Sequence, residues 1–135
     1  KAYRPEYADG EQKRDFIYLK DAVAMTLFFM DAPEARGVFN IGSGKAESWN
    51  SLVHAMGLAL GREVAISYTD MPEDMRAHYQ YFTQADLGKL RSAGWQGTGT
   101  SFKDAISEYL KNYLLPHQHL SRGPSRELAG ASDYR

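Results

Sequence analysis

The stretch Lys13-Arg14-Asp15-Phe16-Ile17-Tyr18-Leu19-Lys20-Asp21 organises the chain. The apolar residues 16–18 predict a short strand, and the residues after it predict an amphipathic helix over Ala22–Met30. Arg14 has a planar guanidinium that can bind a phosphate through two parallel hydrogen bonds. An Arg-Asp pair is more often an ordinary surface salt bridge, and that interpretation stands beside the functional one.

The composition is that of an ordinary globular domain. The chain has 135 residues, of which 43% are hydrophobic and 24% charged, and its net charge is -1. This charge provides no basic field for nucleic acid, and no apolar run has the length of a membrane span. The absence of Cys excludes disulfides and thiolate metal ligands. Because the first residue is Lys1 and not Met, we expect the chain to begin inside a longer protein.

The remaining patterns mix strands with helices. Apolar runs predict strands at Gly37–Ile41 and Val64–Tyr68 and an extended segment at 79–82, while caps and helical spacing predict helices at Trp49–Leu60, from Thr83 to Ala93, and at Phe102–Leu115. The predicted class is therefore α/β with α+β character. Residues 1–115 are predicted to form one domain, and residues 116–135 a disordered tail, because they are polar with few apolar anchors.

Candidate sites are few. The loop Gly42–Lys45 lacks the spacing of a phosphate-binding loop, so it is predicted to be a tight structural turn. The four histidines, His54, His78, His117 and His119, have no partners at metal-ligand spacing, so no metal site is predicted. Tyr79 precedes a predicted extended segment, where its hydroxyl could bind a sugar or a phosphate. A tyrosine at that position is more often a packing residue.

Several motifs together resemble a known family. Residues 13–18 and 39–48 are similar to the C-terminal part of extended short-chain dehydrogenase/reductases (SDRs) that act on nucleotide sugars. Residues 44–48, 79–87 and 90–95 in combination resemble the ADP-L-glycero-D-manno-heptose 6-epimerase family. The resemblance extends from the first residues to about Leu115. It implies that this chain is the substrate-binding part and lacks the N-terminal Rossmann domain.

The resemblance also implies roles for particular residues. Arg14 matches a substrate-binding arginine near the diphosphate, and Tyr79 matches a substrate-binding tyrosine. The catalytic Tyr and Lys and the NADP site would lie in the absent N-terminal half. This chain would then have no catalytic, cofactor-binding or metal-binding residue, and alone it would be inactive.

For the whole protein, the resemblance implies an isomerase that interconverts the D-glycero and L-glycero forms of ADP-manno-heptose. The product would serve lipopolysaccharide core synthesis in the cytoplasm. The family implies a homo-oligomer, specifically a homopentamer, without nucleic-acid or membrane partners.

The sequence departs from the family pattern at one place, and other functions stay open. Ala77 and His78 stand where the family usually has Gly and a basic residue, which affects the loop before Tyr79. The chain could belong to another extended-SDR nucleotide-sugar epimerase or dehydratase, or it could be a non-catalytic binding remnant. In each case, we expect an exposed apolar face for packing against the missing half or another copy, formed by Phe16, Ile17, Phe28, Phe29, Val38 and Phe39.

Overall fold

The computed structural model describes residues 1–117. In chain order its elements are β1 (Lys13–Asp15), α1 (Leu19–Phe28), β2 (Ala46–Ser48), α2 (Trp49–Leu60), α3 (Glu73–Arg76), α4 (Gly88–Ser92) and α5 (Phe102–Tyr109), followed by a π-helical turn (Leu110–Leu114). The chain is thus a small mixture of helices with one short sheet. None of the helices in residues 1–117 combines the length and the hydropathy that crossing a lipid bilayer requires.

Strand β1 lies at the centre of the sheet region. It pairs antiparallel with β2 on one edge, with Arg14 opposite Glu47. On its other edge the Lys13 backbone N–H donates to the Tyr81 carbonyl at 2.8 Å, and the Thr83 N–H donates to the Lys13 carbonyl at 3.2 Å. The predicted extended segment 79–82 therefore leads into a stretch that runs beside β1, and both edges of β1 are occupied.

The main apolar core lies between α1 and α4. Met25 on α1, Leu87, and Leu90 on α4 are buried, and Leu90 is only 1% exposed. Partly buried side chains pack around them: Ile17, Phe28, Phe29, Phe39, Ala85 and Trp95. This cluster fixes α1 and α4 relative to the strand, since burial of apolar side chains is the dominant stabilising contribution to such a fold.

The predicted helix Trp49–Leu60 is confirmed with its caps, whereas the helix predicted at Phe102–Leu115 is α-helical only to Tyr109 and continues as the π-helical turn. Helix α2 begins after Ser48, whose hydroxyl accepts a hydrogen bond from the Ser51 N–H at 3.1 Å, and ends at Gly61 with φ of +64°. Helix α5 begins after Ser101, which accepts from the Asp104 N–H. These polar residues satisfy backbone groups that the helix ends leave unpaired.

The predicted strand at 16–18 is wrong by a few residues. The strand is β1, and residues 16–18 are irregular backbone. Phe16 packs against the rings of Trp49 and Phe102, so its apolar character serves side-chain packing and not strand pairing. Helix α1 likewise begins at Leu19, before the predicted Ala22, and ends at Phe28.

Two further predicted strands are absent from the described residues. At 37–41 and 64–68 the backbone pairs with no other segment of residues 1–117 in a strand. Val38 is 87% exposed, and the Lys89 ammonium donates to its carbonyl at 2.8 Å. An apolar run needs a neighbouring strand to form a ladder, and no such neighbour lies beside either segment within residues 1–117.

The predicted helix from Thr83 to Ala93 is shorter than expected. Only Gly88–Ser92 is helical, because the Thr83 hydroxyl accepts from the Asp15 N–H at 3.2 Å and does not cap a helix. Asp86 accepts from the Gly88 N–H at 2.8 Å instead. Gly94, with φ of +106°, ends the helical segment as predicted.

The predicted apolar face is also different. Most of its members are partly buried, and of the six only Val38 is fully exposed. The exposed apolar residues of α1 and its end instead form a stripe, called here the α1 stripe: Leu19, Val23, Leu27 and Met30, at 67%, 48%, 53% and 77% exposure. The tail predicted at 116–135 lies outside the described residues from position 118 onward, and the domain boundary at 115 stays a prediction.

Candidate functional site

The two residues predicted to bind substrate lie together. Arg14 projects from β1, and Tyr79 precedes the segment that runs along the other edge of β1. The guanidinium carbon of Arg14 stands 5.0 Å from the centroid of the Tyr79 ring. This is the distance of a cation–π contact, which restricts both side chains.

Arg14 keeps most of its hydrogen-bonding capacity free for a ligand. One guanidinium nitrogen donates to the Lys13 carbonyl at 2.9 Å. Among the ion pairs of residues 1–117, none includes Arg14. A guanidinium carries five N–H donors, so several of them remain available on a half-buried, stacked side chain. Such a group suits a phosphate better than an extended surface lysine does.

The structure rules out the salt-bridge interpretation of the Arg14–Asp15 pair. The carboxylate of Asp15 accepts three hydrogen bonds from the loop before β2, from Ser43 N and Oγ, both at 2.6 Å, and from Gly44 N at 2.9 Å. It accepts a fourth from Ala85 N, in the segment before α4, at 2.8 Å. Burial acts to raise the pKa of the Asp15 carboxyl, but the hydrogen bonds from Ser43, Ala85 and Gly44 together hold that pKa below its usual value.

The loop at 42–44 is the structural turn that the sequence predicts. Gly44 has φ of +72°, which favours glycine. A Cβ at Gly42 would stand 2.4 Å from the Ala85 Cβ and 2.8 Å from the Asp15 carboxylate. Asp15 thus joins β1, this loop and the segment before α4, and it holds the strand that carries Arg14.

Tyr79 is held by aromatic neighbours as well as by Arg14. Its hydroxyl oxygen accepts a hydrogen bond from the indole N–H of Trp49 at 3.1 Å. Its ring meets Tyr81 edge to face, with centroids 5.3 Å apart. Sequence reasoning missed both Asp15 and Trp49. An aromatic residue directly after a helix N-cap was the signal available for Trp49.

A cleft of about 360 Å³ adjoins these residues. Trp49 and Tyr79 line it together with Tyr68, Met71 and Met75. Its volume is at the lower end for small-molecule sites, and its walls combine apolar side chains with a few polar groups, which is typical of such sites.

A larger cleft of about 660 Å³ is lined in part by the loop at 43–45. Its cations, Lys45 and Arg91, are exposed and make no ion pair among residues 1–117. We favour the Arg14–Tyr79 site over this larger cleft because Arg14 is already packed against Tyr79. Binding a ligand there would therefore cost less side-chain entropy than ordering an exposed cation.

The histidines and carboxylates of the described residues form no cluster of three that could hold a metal ion. The Nδ1 atom of His54 lies within hydrogen-bonding distance of the Asn50 carbonyl oxygen, at 2.8 Å. Ala77 and His78, where the sequence departs from the family pattern, form the turn after α3, and the His78 N–H donates to the Met75 carbonyl. Tyr79 follows this turn directly.

Comparisons with known proteins support the resemblance found in the sequence motifs. Residues 4–42 match the model of the NAD dependent epimerase/dehydratase family. The chain is 49% identical over 116 residues to a protein of Nitratidesulfovibrio vulgaris strain Hildenborough named ADP-L-glycero-D-manno-heptose-6-epimerase, with 84% of the chain and 36% of the relative covered. The chain is homologous to a part of these epimerases.

Other relatives with the same name support this homology. The protein of Fusobacterium nucleatum is 38% identical over 120 residues, covering 84% of the chain and 36% of the relative. That of Alkalilimnicola ehrlichii is 42% identical over 108 residues, covering 80% of the chain and 32% of the relative. The chain therefore spans about a third of the length of these ADP-L-glycero-D-manno-heptose-6-epimerases, and the family resemblance found in the motifs is confirmed.

Proposed function

We propose that the chain is the nucleotide-sugar-binding, C-terminal portion of an NADP-dependent ADP-glyceromanno-heptose 6-epimerase. The complete enzyme would interconvert ADP-D-glycero- and ADP-L-glycero-D-manno-heptose for lipopolysaccharide core synthesis in the cytoplasm. The observation that supports this most is the contact between Arg14 and Tyr79, two residues singled out by motif and distant in sequence, at 5.0 Å.

Arg14 and Tyr79 would act by holding the ligand. The free N–H groups of Arg14 would bind oxygens of the diphosphate, and the Tyr79 hydroxyl would donate to a further oxygen of the diphosphate or the sugar. A fixed cation contacts the ground state and the transition state of a distant reaction equally. Its contribution is therefore binding and orientation of the sugar, not a chemical step.

The residues described do not fit a dinucleotide cofactor. The N–H groups of Ser43 and Gly44, in the only glycine-rich turn that follows an apolar run within residues 1–117, donate to Asp15. They are not available to a pyrophosphate, which needs such backbone donors. NADP and the catalytic Tyr–Lys pair are accordingly assigned to the part of the protein that this chain lacks.

The α1 stripe gives that missing part a place to pack. Four apolar side chains along α1 and the residues just after it, all between 48% and 77% exposed, are costly to leave in water. The remaining two-thirds of the enzyme, or another copy in a homo-oligomer such as a homopentamer, would cover them. With a net charge of -1, nucleic acid is not proposed as a partner.

Two alternatives make different predictions for the same polypeptide. Another extended-SDR epimerase or dehydratase would turn over a different nucleotide sugar. A non-catalytic remnant would bind a nucleotide but would be encoded without an upstream glycine fingerprint and Tyr-x-x-x-Lys. The upstream reading frame separates the remnant from both enzymes.

The decisive experiment compares the 135-residue chain with the longer polypeptide that carries it. With NADP and ADP-D-glycero-manno-heptose, the longer protein is expected to form the L-glycero product, while the chain alone forms none. ADP, GDP and UDP are then titrated against the longer protein by calorimetry, with ADP expected to bind tightest.

Arg62 offers a matched control, since it is an exposed arginine outside the site. Arg14→Lys should weaken ADP binding, and Arg62→Lys should not. Turnover by the chain alone, or equal ADP affinity of the two variants, would contradict the proposed function.

A further inference from the structure

We infer that Trp49 is a positioning residue, which orients the Tyr79 hydroxyl so that it donates a hydrogen bond to the ligand. This inference rests on the proposed function, because it assigns Tyr79 a ligand. It goes further by naming a third residue of the site and by predicting which ligand atoms the site accepts.

The backbone places Trp49 with little freedom. It is the first residue of α2, directly after the N-cap Ser48, which is buried and which also ends β2. The strand on one side and the capped helix on the other fix the direction of its Cα–Cβ bond. The indole ring also meets the Phe16 ring edge to face, with centroids 5.2 Å apart.

The chemistry of the contact between Trp49 and Tyr79 allows one direction only. An indole nitrogen carries one hydrogen and accepts none, so it must donate to the phenol oxygen 3.1 Å away. The phenol proton is then directed away from Trp49. The Arg14 guanidinium, which lies against the ring face, has no acceptor atom. The phenol proton is therefore available to an acceptor other than Arg14, Trp49 and Tyr79.

The consequence is a site built from donors. Arg14 has no acceptor atom, and Tyr79, whose oxygen is engaged by Trp49, offers its proton. Ligand oxygens that only accept, as in a diphosphate, satisfy both groups. A ligand donor placed against the Arg14 N–H groups or the directed Tyr79 proton would leave two donors facing each other, which is unfavourable.

A packing role alone does not explain an indole at this position. Trp49 is 39% exposed, so burial of the ring is incomplete, and a phenylalanine could make the same edge contact with Phe16. What phenylalanine cannot supply is the N–H. The Trp49→Phe variant therefore differs from the unaltered chain in leaving the Tyr79 hydroxyl unfixed.

The first experiment observes the hydrogen bond without any ligand. The chain has two tryptophans, so a nitrogen–proton NMR spectrum of the 135-residue chain shows two indole signals. Tyr79→Phe should shift the Trp49 signal and speed its exchange with solvent, and it should leave the signal of Trp95, which packs on Phe28, in place. An unchanged Trp49 signal would overturn the inference. This test does not depend on the folding of any Trp49 variant.

The second experiment measures ADP affinity in the longer protein. Trp49→Phe is expected to weaken ADP binding about two- to tenfold, the range for one neutral hydrogen bond. In a Tyr79→Phe background the same change should have almost no effect, because no hydroxyl remains to be positioned. Trp95→Phe, which alters the core away from the site, serves as the control and should leave ADP affinity unchanged.

The outcomes separate this inference from the proposed function. If the unaltered protein fails to bind ADP, the proposed function is wrong and Trp49 has no ligand role. If the unaltered protein binds ADP and Trp49→Phe binds it equally well, the proposed function stands and the positioning role is wrong. An equal loss from Trp49→Phe with and without the Tyr79 hydroxyl would indicate packing alone and would also overturn the positioning role.

Discussion

The segments 79–82 and 37–41 have similar apolar patterns but different places in the fold. The first leads into a stretch that exchanges backbone hydrogen bonds with β1 at 2.8 and 3.2 Å. The second pairs with no strand among residues 1–117, and Val38 within it is 87% exposed. Strand-like sequence yields strand pairing only where the same chain supplies a free strand edge.

The site region and the α1 stripe differ in the same way. Its site region, formed by β1, β2 and residues 79–83, satisfies its own hydrogen bonds and brings Arg14 onto Tyr79. The α1 stripe, by contrast, exposes apolar side chains that nothing in residues 1–117 covers. We therefore expect substitutions in the site region to affect the chain itself, and substitutions in the α1 stripe to affect association.

The largest effect is expected at Asp15, which holds the site region together. Asp15→Asn removes the charge and places an amide N–H₂ group among donors, so it should lower the free energy of unfolding by about 3 kcal/mol. Urea unfolding followed by circular dichroism measures this change. Asp31→Asn is the control, because the exposed Asp31 side chain makes no hydrogen bond or ion pair among the described residues, and its effect should stay within about 0.5 kcal/mol.

The contribution of Asp15 should also depend on pH. Because its pKa is lowered in the folded chain, its ionised form stabilises the fold above the ordinary carboxyl pKa of about 4. That stability is lost as pH falls below this value through the folded pKa. The stability difference between the unaltered chain and Asp15→Asn should therefore shrink below about pH 4. A constant difference between neutral pH and strongly acidic pH would show that charge is not involved.

A smaller effect, on the ligand, is expected at Arg14. In the complete enzyme, Arg14→Lys should raise KM more than it lowers kcat, because the interaction it weakens is equal in ground and transition states. The expected loss in kcat/KM corresponds to about 1.5–3 kcal/mol, the range for hydrogen bonds to charged groups. Steady-state kinetics with ADP-heptose test this, beside Arg62→Lys. A fall in kcat at constant KM would contradict a purely binding role.

Tyr79→Phe should cost less, about 0.5–1.5 kcal/mol in ADP-heptose binding, since it removes one neutral hydrogen bond. Separate ligand contacts would make the Arg14 and Tyr79 effects additive, but the two side chains touch. Contacting residues usually show coupling, so a double-mutant cycle should give an interaction energy of at least about 0.5 kcal/mol. Tyr109→Phe, at an exposed ring that stacks on Tyr113, is the control. Strict additivity would mean that the contact is not retained with ligand bound.

The smallest effect on stability is expected in the α1 stripe. Leu27→Lys should change the free energy of unfolding by less than about 0.5 kcal/mol, because Leu27 is 53% exposed. It should nevertheless reduce the self-association that we expect of the isolated chain, as measured by sedimentation velocity. Asn112→Lys adds the same charge at an exposed position outside the α1 stripe. Equal association of the two variants would show that the stripe is not the contact surface.

Local signals in the sequence predicted the helices better than the strands. The Ser48 and Ser101 caps and the terminal Gly61 fixed α2 and the start of α5, because a cap depends on neighbours a few residues away. The strands at 37–41 and 64–68 were predicted from apolar runs, and the helix at Thr83 from a cap. The two strands do not form because no strand edge within residues 1–117 pairs with them. The helix does not begin at Thr83 because the Thr83 hydroxyl accepts a hydrogen bond from the distant Asp15 N–H instead of capping a helix.

Within the candidate site, motifs identified Arg14 and Tyr79 but not their supports. The pairing of Arg14 with Asp15 was a reasonable expectation from adjacency. Successive residues of a strand point to opposite faces, however, so the adjacent side chains of Arg14 and Asp15 in β1 do not face each other. The roles of Asp15 and Trp49 follow from contacts across long stretches of chain, which spacing alone does not reveal.

The four hydrogen bonds of Asp15 also bear on the order in which the chain folds. They join residues 28, 29 and 70 positions apart in sequence. Closing such long loops costs conformational entropy before any contact forms, whereas α2 and α5 need only local contacts. The helices should therefore form first and the Asp15 junction late. The contact between Arg14 and Tyr79 also joins distant parts of the chain, so ligand binding during refolding would report a late step of assembly.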